Sequence, residues 1–390
     1  MVQVPWKANL KPGAGYDTLK GDARQEGVTG QMAPPAQAGE AGDFNLLLVK
    51  STEEFDNALD INVEVGGTAG LFGGSAKFDL KKRSKVSNSA TFCVLRVVSH
   101  HAYQQLERPM LTEEAKHLLR TKQTVRFRER FGDRFVSGMV SGVEFFGVVR
   151  IEASSEQRQL DVASRIQANY ALVASGKAGV DVKEVSSSSE QRIEIFTYQR
   201  GGQVSVCQSV EDLFKLAQKA LDDGRKGLGY PFAVELDDYK ELNLPDDAAS
   251  PIDIAFARAT LRKLAAHAEA LDRMANDIDF VLRNPAWFDG VDTAKLNAAN
   301  KAIAAELNTL RDRAETCATD ADKCEAYAPT YPEFVMPNRK AGAPADPPPA
   351  PAAPPIPKGQ GAIDPRFIKN ILLNPQDAME MKTPKRWPKP

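Results

Sequence analysis

Histidines, cysteines and glycine-rich loops are the residues through which a chain of this kind could do chemistry. Four histidines are present: His100, His101, His117 and His267. None sits at a metal-ligand spacing. His100 and His101 are adjacent in a strand-like stretch, so their side chains point to opposite faces and cannot share an ion. The cysteines, Cys93, Cys207, Cys317 and Cys324, show no zinc spacing either. Cys317 and Cys324 on one helix would stand roughly 10 Å apart, too far for a disulfide unless the helix ends between them. Reduced thiols packed as small hydrophobes are the expectation. There is no Gly-x-Ser-x-Gly elbow and no phosphate loop followed by Lys-Ser/Thr. The glycine-rich run Gly66-Gly67 to Gly73-Gly74 lacks a strand-loop-helix frame. The expectation is a protein with no catalytic residue, no metal, no cofactor and no small-molecule substrate.

The elements around these residues are clearer. The chain has 390 residues, 42% hydrophobic and 26% charged, with net charge −2. That is the composition of a globular protein, and the charge balance argues against a nucleic-acid partner. No apolar run reaches the length of a spanning helix. The N-terminus has no secretory core, so synthesis in the cytoplasm is expected, with release by a non-classical route left open.

The stretch from Arg128 to Gly202 is central. It opens with Phe131-Gly132-Asp133-Arg134-Phe135 and continues as a long apolar strand, Val136 to Ile151. A Ser/Ala/Gly-rich insert without a strong core pattern follows. Arg192 to Tyr198 is a second strand, closed by Gly201-Gly202. A similar soft segment, about 56–88, lies between the strand patterns Asp43–Lys50 and Thr91–Val98. Both soft segments hold alternating apolar pieces: Ala76, Phe78 and Leu80 in one, Ala178, Val180 and Val182 in the other. A membrane β-strand needs about ten residues with one apolar face.

Elsewhere, residues 1–42 read as a loop-rich lead-in. Ser51-Thr-Glu-Glu54 and Thr112 read as helix caps. Val210–Leu221 is an amphipathic helix, and Tyr230–Leu236 a last strand. Leu261, Leu264, Ala268, Leu271, Ala275, Ile278 and Leu282 form a heptad-like seam, and Leu296, Ile303, Leu307, Leu310 and Ala314 a second. A short connector between two seams predicts an antiparallel helical hairpin. A Pro/Ala-rich spacer, 340–358, precedes a tail peptide, 359–390.

In order and content, these features resemble the membrane-attack-complex/perforin (MACPF) and cholesterol-dependent cytolysin superfamily, in particular its stonefish-toxin (stonustoxin-like) branch. The residues carrying the resemblance are Gly15-Tyr16-Asp17, Asp22-Ala23-Arg24, Gly73–Phe78, Thr91–Val98, Phe131–Phe146, Glu156–Asp161 and the strand closed by Gly201-Gly202. The helical part from about Ile252 to Cys324 resembles the focal-adhesion-targeting-like bundle that follows the pore-forming domain in that branch. Asp133 and Arg134 stand where the family signature has Thr and His.

The resemblance implies an α+β fold: a bent, twisted four-stranded antiparallel sheet flanked by two helical clusters, then a small helical bundle. It implies a pore-forming domain over 1–245 and a helical domain over 251–330. The signature and sheet-bend positions would be Phe131, Gly132, Phe135, Gly138, Gly142, Gly201 and Gly202. The clusters would refold into membrane-inserting β-hairpins carrying Ala76, Phe78, Leu80, Ala178, Val180 and Val182. The implied partners are a lipid membrane and further copies of the chain, or a related subunit, in rings or arcs. A non-lytic scaffold that keeps the fold and recruits partners through the helical domain and tail is the alternative.

Overall fold

The computed structural model describes residues 2–34, 36–59, 61, 76–174, 190–201, 206–226, 229–245, 247, 249 and 254–340. Gly202, Ala178, Val180, Val182 and the glycine-rich run 66–74 lie outside the described residues, as do the Pro-rich spacer and the tail. Residues 1–342 form one compact unit.

Nine strands are present among the described residues: β1 Val2–Pro5, β2 Ala14–Asp17, β3 Asp22–Glu26, β4 Val28–Met32, β5 Ala36–Val49, β6 Thr91–Leu111, β7 Arg134–Ala153, β8 Gln191–Arg200 and β9 Tyr230–Asp238. The expected four-stranded sheet is therefore too small. Strands β5, β6, β7 and β8 do form a continuous antiparallel meander. To it are added β9, β1, β2 and β3 along the first half of β7, and β4 on the far end of β6. The lead-in expected to be loops supplies four of the extra strands. Strands this short show too few alternations to be read, and only pairing with a long neighbour defines them.

β6 and β7 are the spine, and in their upper half both faces are covered. Cys93, Leu95 and Val97 of β6 face one side, with Val143, Phe145, Val149 and Ile151 of β7. Helices α5 Glu156–Ala174 and α6 Val210–Arg225 cover that side through Val162, Ile166, Leu213 and Phe214. Phe92, Val94, Val98, Phe146 and Val148 face the other side. There α1 Thr52–Leu59 and α2 Ala76–Arg83 cover it through Phe55, Leu59 and Leu80. A buried side chain of this kind contributes about 1.5–3 kcal/mol over its exposed state. At the lower end, α3 Glu113–Arg120 and α4 Thr124–Phe131 close the connection from β6 to β7 over Phe127, Phe131, Phe135 and Tyr239.

The caps follow the sequence signals. Ser51 Oγ accepts from Glu54 N at 3.1 Å while the Glu54 carboxylate accepts from Lys50 N at 2.8 Å, a reciprocal cap on α1. Thr112 Oγ1 accepts from Ala115 N at 3.2 Å to start α3.

The two seams form the expected helical hairpin, α7 Ala255–Arg283 and α8 Thr293–Thr319, around Leu261, Leu264, Leu271, Ile278, Ile303 and Leu310. The expectation of reduced Cys317 and Cys324 is corrected: they form a disulfide with Cα atoms 4.3 Å apart. α8 ends at Thr319, and Asp320 caps a single turn over Ala321–Lys323 that reverses the chain. That turn brings the two cysteines within bridging distance.

Candidate functional site

Two neighbouring strand pairs, each interrupted at the same end of the sheet, are the feature of this fold most suited to a function. β5 ends at Val49 opposite Phe92 of β6, and the chain between them is the first soft segment. β7 ends at Ala153 opposite Gln191 of β8, and the chain between them is the second. Thr91 of β6 is opposite Ile151 of β7, so both inserts leave from one level. Helices α1 and α2 of the first insert pack on one face of the sheet, and α5 of the second packs on the other.

The alternating set Ala76, Phe78 and Leu80 lies in helix α2 here, where the pattern alone reads as a strand. The helix buries Lys77, Phe78, Leu80 and Lys81 and leaves Ala76 exposed. Thus one segment carries two patterns. As a helix it must bury two lysines. Lys77 pairs with buried Glu144 at 2.8 Å and lies over the Phe146 ring. Lys81 pairs with Asp56 at 2.7 Å and Glu269 of α7 at 3.1 Å. Apolar residues of similar volume would commonly stabilise such a core as well or better.

A stronger double pattern was not recognised in the sequence. From Leu160 to Ala174 every even position is apolar or small: Leu160, Val162, Ser164, Ile166, Ala168, Tyr170, Leu172 and Ala174. Asp161, Arg165, Gln167 and Asn169 are among the odd ones. In the structure this stretch is α5, burying Gln159, Val162, Ala163, Ile166 and Asn169 at helical spacing. Testing period 2 as well as period 3.6 across the insert would have found it.

Residues of the helical hairpin and the segment after it fasten both inserts at their roots. Asp277 of α7 accepts from Ser89 N at 3.1 Å, Ser89 Oγ at 2.5 Å and Asn88 Nδ2 at 3.2 Å. Lys85 pairs with Asp279 at 2.6 Å, and Asn276 Nδ2 donates to Val86 O at 2.9 Å. Arg339 donates to Ala153 O at 2.6 Å and to Ser89 O at 2.9 Å, holding both junctions with one guanidinium. It is seated over the rings of Phe280 and Phe288. Gln159 of α5 also donates to Ser89 O, at 2.8 Å. At the end of β7, fully buried Arg150 pairs with Glu152 at 2.5 Å and Glu194 at 3.1 Å, and Arg283 of α7 reaches Glu152 at 2.8 Å.

Burial raises the Asp277 carboxyl above its ordinary 3.8, and the bonds from Ser89 and Asn88 only partly offset this. Asp56, Asp133 and Asp272 are raised for the same first reason. A raised folded value means the folded protein holds the proton more tightly than the unfolded chain does. This contribution is complete below 3.8 and is lost as pH rises through the folded value. Mild acid therefore relieves the cost of burying this carboxylate, although a protonated Asp277 is the weaker acceptor for Ser89 and Asn88. Asp279 behaves oppositely: burial raises it, but Lys85 and Arg283 outweigh burial and hold it low. Comparing wild type with Asp277→Asn isolates the first term. The urea midpoint of wild type minus that of the variant should be larger at pH 4.5 than at pH 7.5; the reverse order would contradict this sign.

The signature positions lie at the lower end. Gly132 has φ +75°, and a Cβ there would stand 2.1 Å from Tyr16 O. Asp133 accepts from Thr18 N and Thr18 Oγ1, both at 2.7 Å, and from Arg258 of α7 at 2.9 Å. Asp17 accepts from Arg128 at 2.9 Å and Arg24 at 3.2 Å, which accounts for the Gly-Tyr-Asp and Asp-Ala-Arg pieces. Phe131 and Phe135 are buried, and Tyr239 Oη donates to Phe131 O at 2.9 Å.

Gly142 and Gly201 sit where β7 changes partner. Above Gly142, β7 pairs with β8; from Gly142 down it pairs with β9. The β6 ladder shifts between His100 and Ala102 opposite Gly142 and Ser141, a bulge that bends the sheet. A Cβ on Gly142 would stand 1.9 Å from Ser99 O, and one on Gly201, φ +78°, 2.8 Å from Gly142 O. Gly138 lies at a second register shift, against β9, where a Cβ would meet Tyr103 Oη at 2.9 Å.

Among the described residues no helix is long and apolar enough to cross a membrane, which says nothing of β-strands. The buried Cys93 thiol is pushed up to about 12 by desolvation.

No protein-family profile matches the chain, and no curated protein matches it. Among solved structures it is similar to stonustoxin, at 14% identity over 82% of this chain and 42% of that one, with a TM-score of 0.47. It is also similar to a cell invasion protein with a MAC/Perforin domain from Bacteroides thetaiotaomicron, at 10% identity, 67% and 59% coverage and a TM-score of 0.31. A non-hemolytic pneumolysin from Streptococcus pneumoniae matches at 13% identity, 52% and 41% coverage and a TM-score of 0.28. The chain spans less than half the length of the stonustoxin chain. Each of these is a likeness of fold at low identity.

Proposed function

We propose that this protein forms pores: copies associate edge to edge on a target membrane, and the two inserts refold from helices into β-hairpins that enter the bilayer. The observation carrying this reading is the common level of the two inserts on adjacent, register-aligned strand pairs. Each hairpin extends a ladder that already exists, so insertion lengthens four strands without rearranging the sheet. Closure of the sheet among copies satisfies edge groups that lipid cannot. The double patterns of α2 and α5 support it, because both segments have a stable helical packing and an amphipathic strand form. The reading assigns no catalytic step. It places the protein at a membrane when oligomerised, with self-association or a related subunit as partner.

The test pins one insert. Tyr170 stacks on Phe44 with ring centroids 5.4 Å apart, which ties α5 to β5. A Phe44→Cys/Tyr170→Cys protein, with Cys207→Ser, is closed with a short thiol-to-thiol crosslinker. It should bind liposomes but release at most about a tenth of the dye released before crosslinking. Unchanged release by the crosslinked protein would exclude refolding of α5.

A further inference from the structure

The strand registers define more than the soluble sheet. Thr91, Phe92 and Cys93 of β6 face Ile151, Arg150 and Val149 of β7 without a shift at the insert end. Continuing that register past Thr91 and Ile151 pairs Lys81 with Asp161, Leu80 with Val162, Phe78 with Ser164 and Ala76 with Ile166. Strand side chains alternate, so the face of each residue is set as well. Phe92, Val94, Phe146 and Val148 all lie on the face that α1 and α2 cover. Ala76, Phe78, Leu80, Leu160, Val162, Ile166, Ala168 and Tyr170 share their parity. Lys77, Asp79, Lys81, Asp161, Arg165 and Gln167 take the other.

We infer that the inserted form keeps this register, and that the face now under α1 and α2 becomes the surface in contact with lipid acyl chains, while the face under α5 and α6 becomes the aqueous side. This inference rests on the pore-forming reading. Leu160 to Tyr170 would span about 35 Å at about 3.3 Å per residue, enough for a tilted strand to cross a hydrocarbon core of about 30 Å. Polar stretches, Lys82–Ser89 and Ser154–Gln159, separate that belt from the existing sheet.

On the aqueous side Lys81 faces Asp161, an opposite-charge cross-strand pair. Lys77 faces Arg165, a like-charge pair.

The experiment uses the full chain with Cys207→Ser on liposomes of phosphatidylcholine, phosphatidylserine and cholesterol. Single cysteines at Ser164, Arg165, Gln167 and Ala168, none of them buried in the soluble protein, carry an environment-sensitive fluorophore. A lipid-borne quencher should reduce emission at least twofold at 164 and 168 and leave 165 and 167 unchanged. In parallel, Phe78→Cys/Ser164→Cys and Lys81→Cys/Asp161→Cys should crosslink on oxidation in liposomes and not in solution, where α2 and α5 lie on opposite faces of the sheet. The shifted pair Phe78→Cys/Arg165→Cys should not crosslink. Dye release with quenching at 165 and 167, or with crosslinks only at the shifted pair, would overturn the register and leave pore formation standing. Neither release nor quenching at any position would overturn both.

Discussion

Replacing Glu152 by alanine should lower the free energy of unfolding by about 3–5 kcal/mol, because it leaves the charge of fully buried Arg150 without its nearest partner. Glu152 is itself buried and is the hub between the end of β7, Arg283 at the end of α7 and Asn284 beyond it. Desolvation already pulls the Arg150 guanidinium below its usual range, with Arg283 adding to the effect. The remaining partner, Glu194, is at 3.1 Å and partly exposed. A paired change, Arg150→Met with Glu152→Leu, removes both charges together and should recover most of the loss. Urea unfolding of the single and double variants measures this directly. If the single variant loses under about 1 kcal/mol, the ion cluster contributes no more than an exposed pair would.

A second large effect is expected at the bend. Gly142→Ala would bring a Cβ to 1.9 Å from Ser99 O, a backbone atom that no rotamer change can move. The β6 and β7 backbones must separate, and a loss of about 3 kcal/mol or more follows, at the high end for a single substitution. Gly290→Ala is the control. Its φ is +63° but no atom lies within 4 Å of the added Cβ, so it should show only the backbone term of about 1–2 kcal/mol. Gly142 has no positive φ, so equal losses in the two variants would mean that close approach of the strands costs no more than the backbone term at Gly290, against this account.

Much of this arrangement is legible in the sequence, for identifiable reasons. Val143 to Ile151 is largely apolar because the upper half of β7 is covered on both faces, and such a run has few other readings. The seams of α7 and α8 are legible because a two-helix hairpin buries one stripe per helix. Strands β1 to β4 are not legible, since four or five residues in a Gly/Pro/Gln-rich lead-in carry no period of their own. The disulfide could not be read because it depends on where α8 stops, and Asp320 sets that stop through a cap three residues past the first cysteine. The second insert shows no strong core pattern over Leu160–Ala174 because its helical and strand periods overlap in one stretch, each diluting the other. Asp133 and Arg134 differ from the Thr and His of the signature that the sequence resembles, yet Asp133 accepts three hydrogen bonds here, from Thr18 and Arg258. Arg258 belongs to the helical hairpin, so the departure is matched from outside the sheet.

The helical hairpin therefore does more than follow the sheet in sequence. Through Asp277, Asp279 and Glu269 it holds the first insert, through Arg283 it reaches the end of β7 at the root of the second, and through Arg339 the segment after it holds both roots. Under the proposed function, refolding of the inserts would require those contacts to part.

Dye release from liposomes of varied lipid composition, with negative-stain imaging of the same samples, tests the central claim most directly. The account predicts release accompanied by rings or arcs. No release and no rings at any lipid composition, with or without lysate from the producing cell, would contradict it and leave the non-lytic scaffold reading.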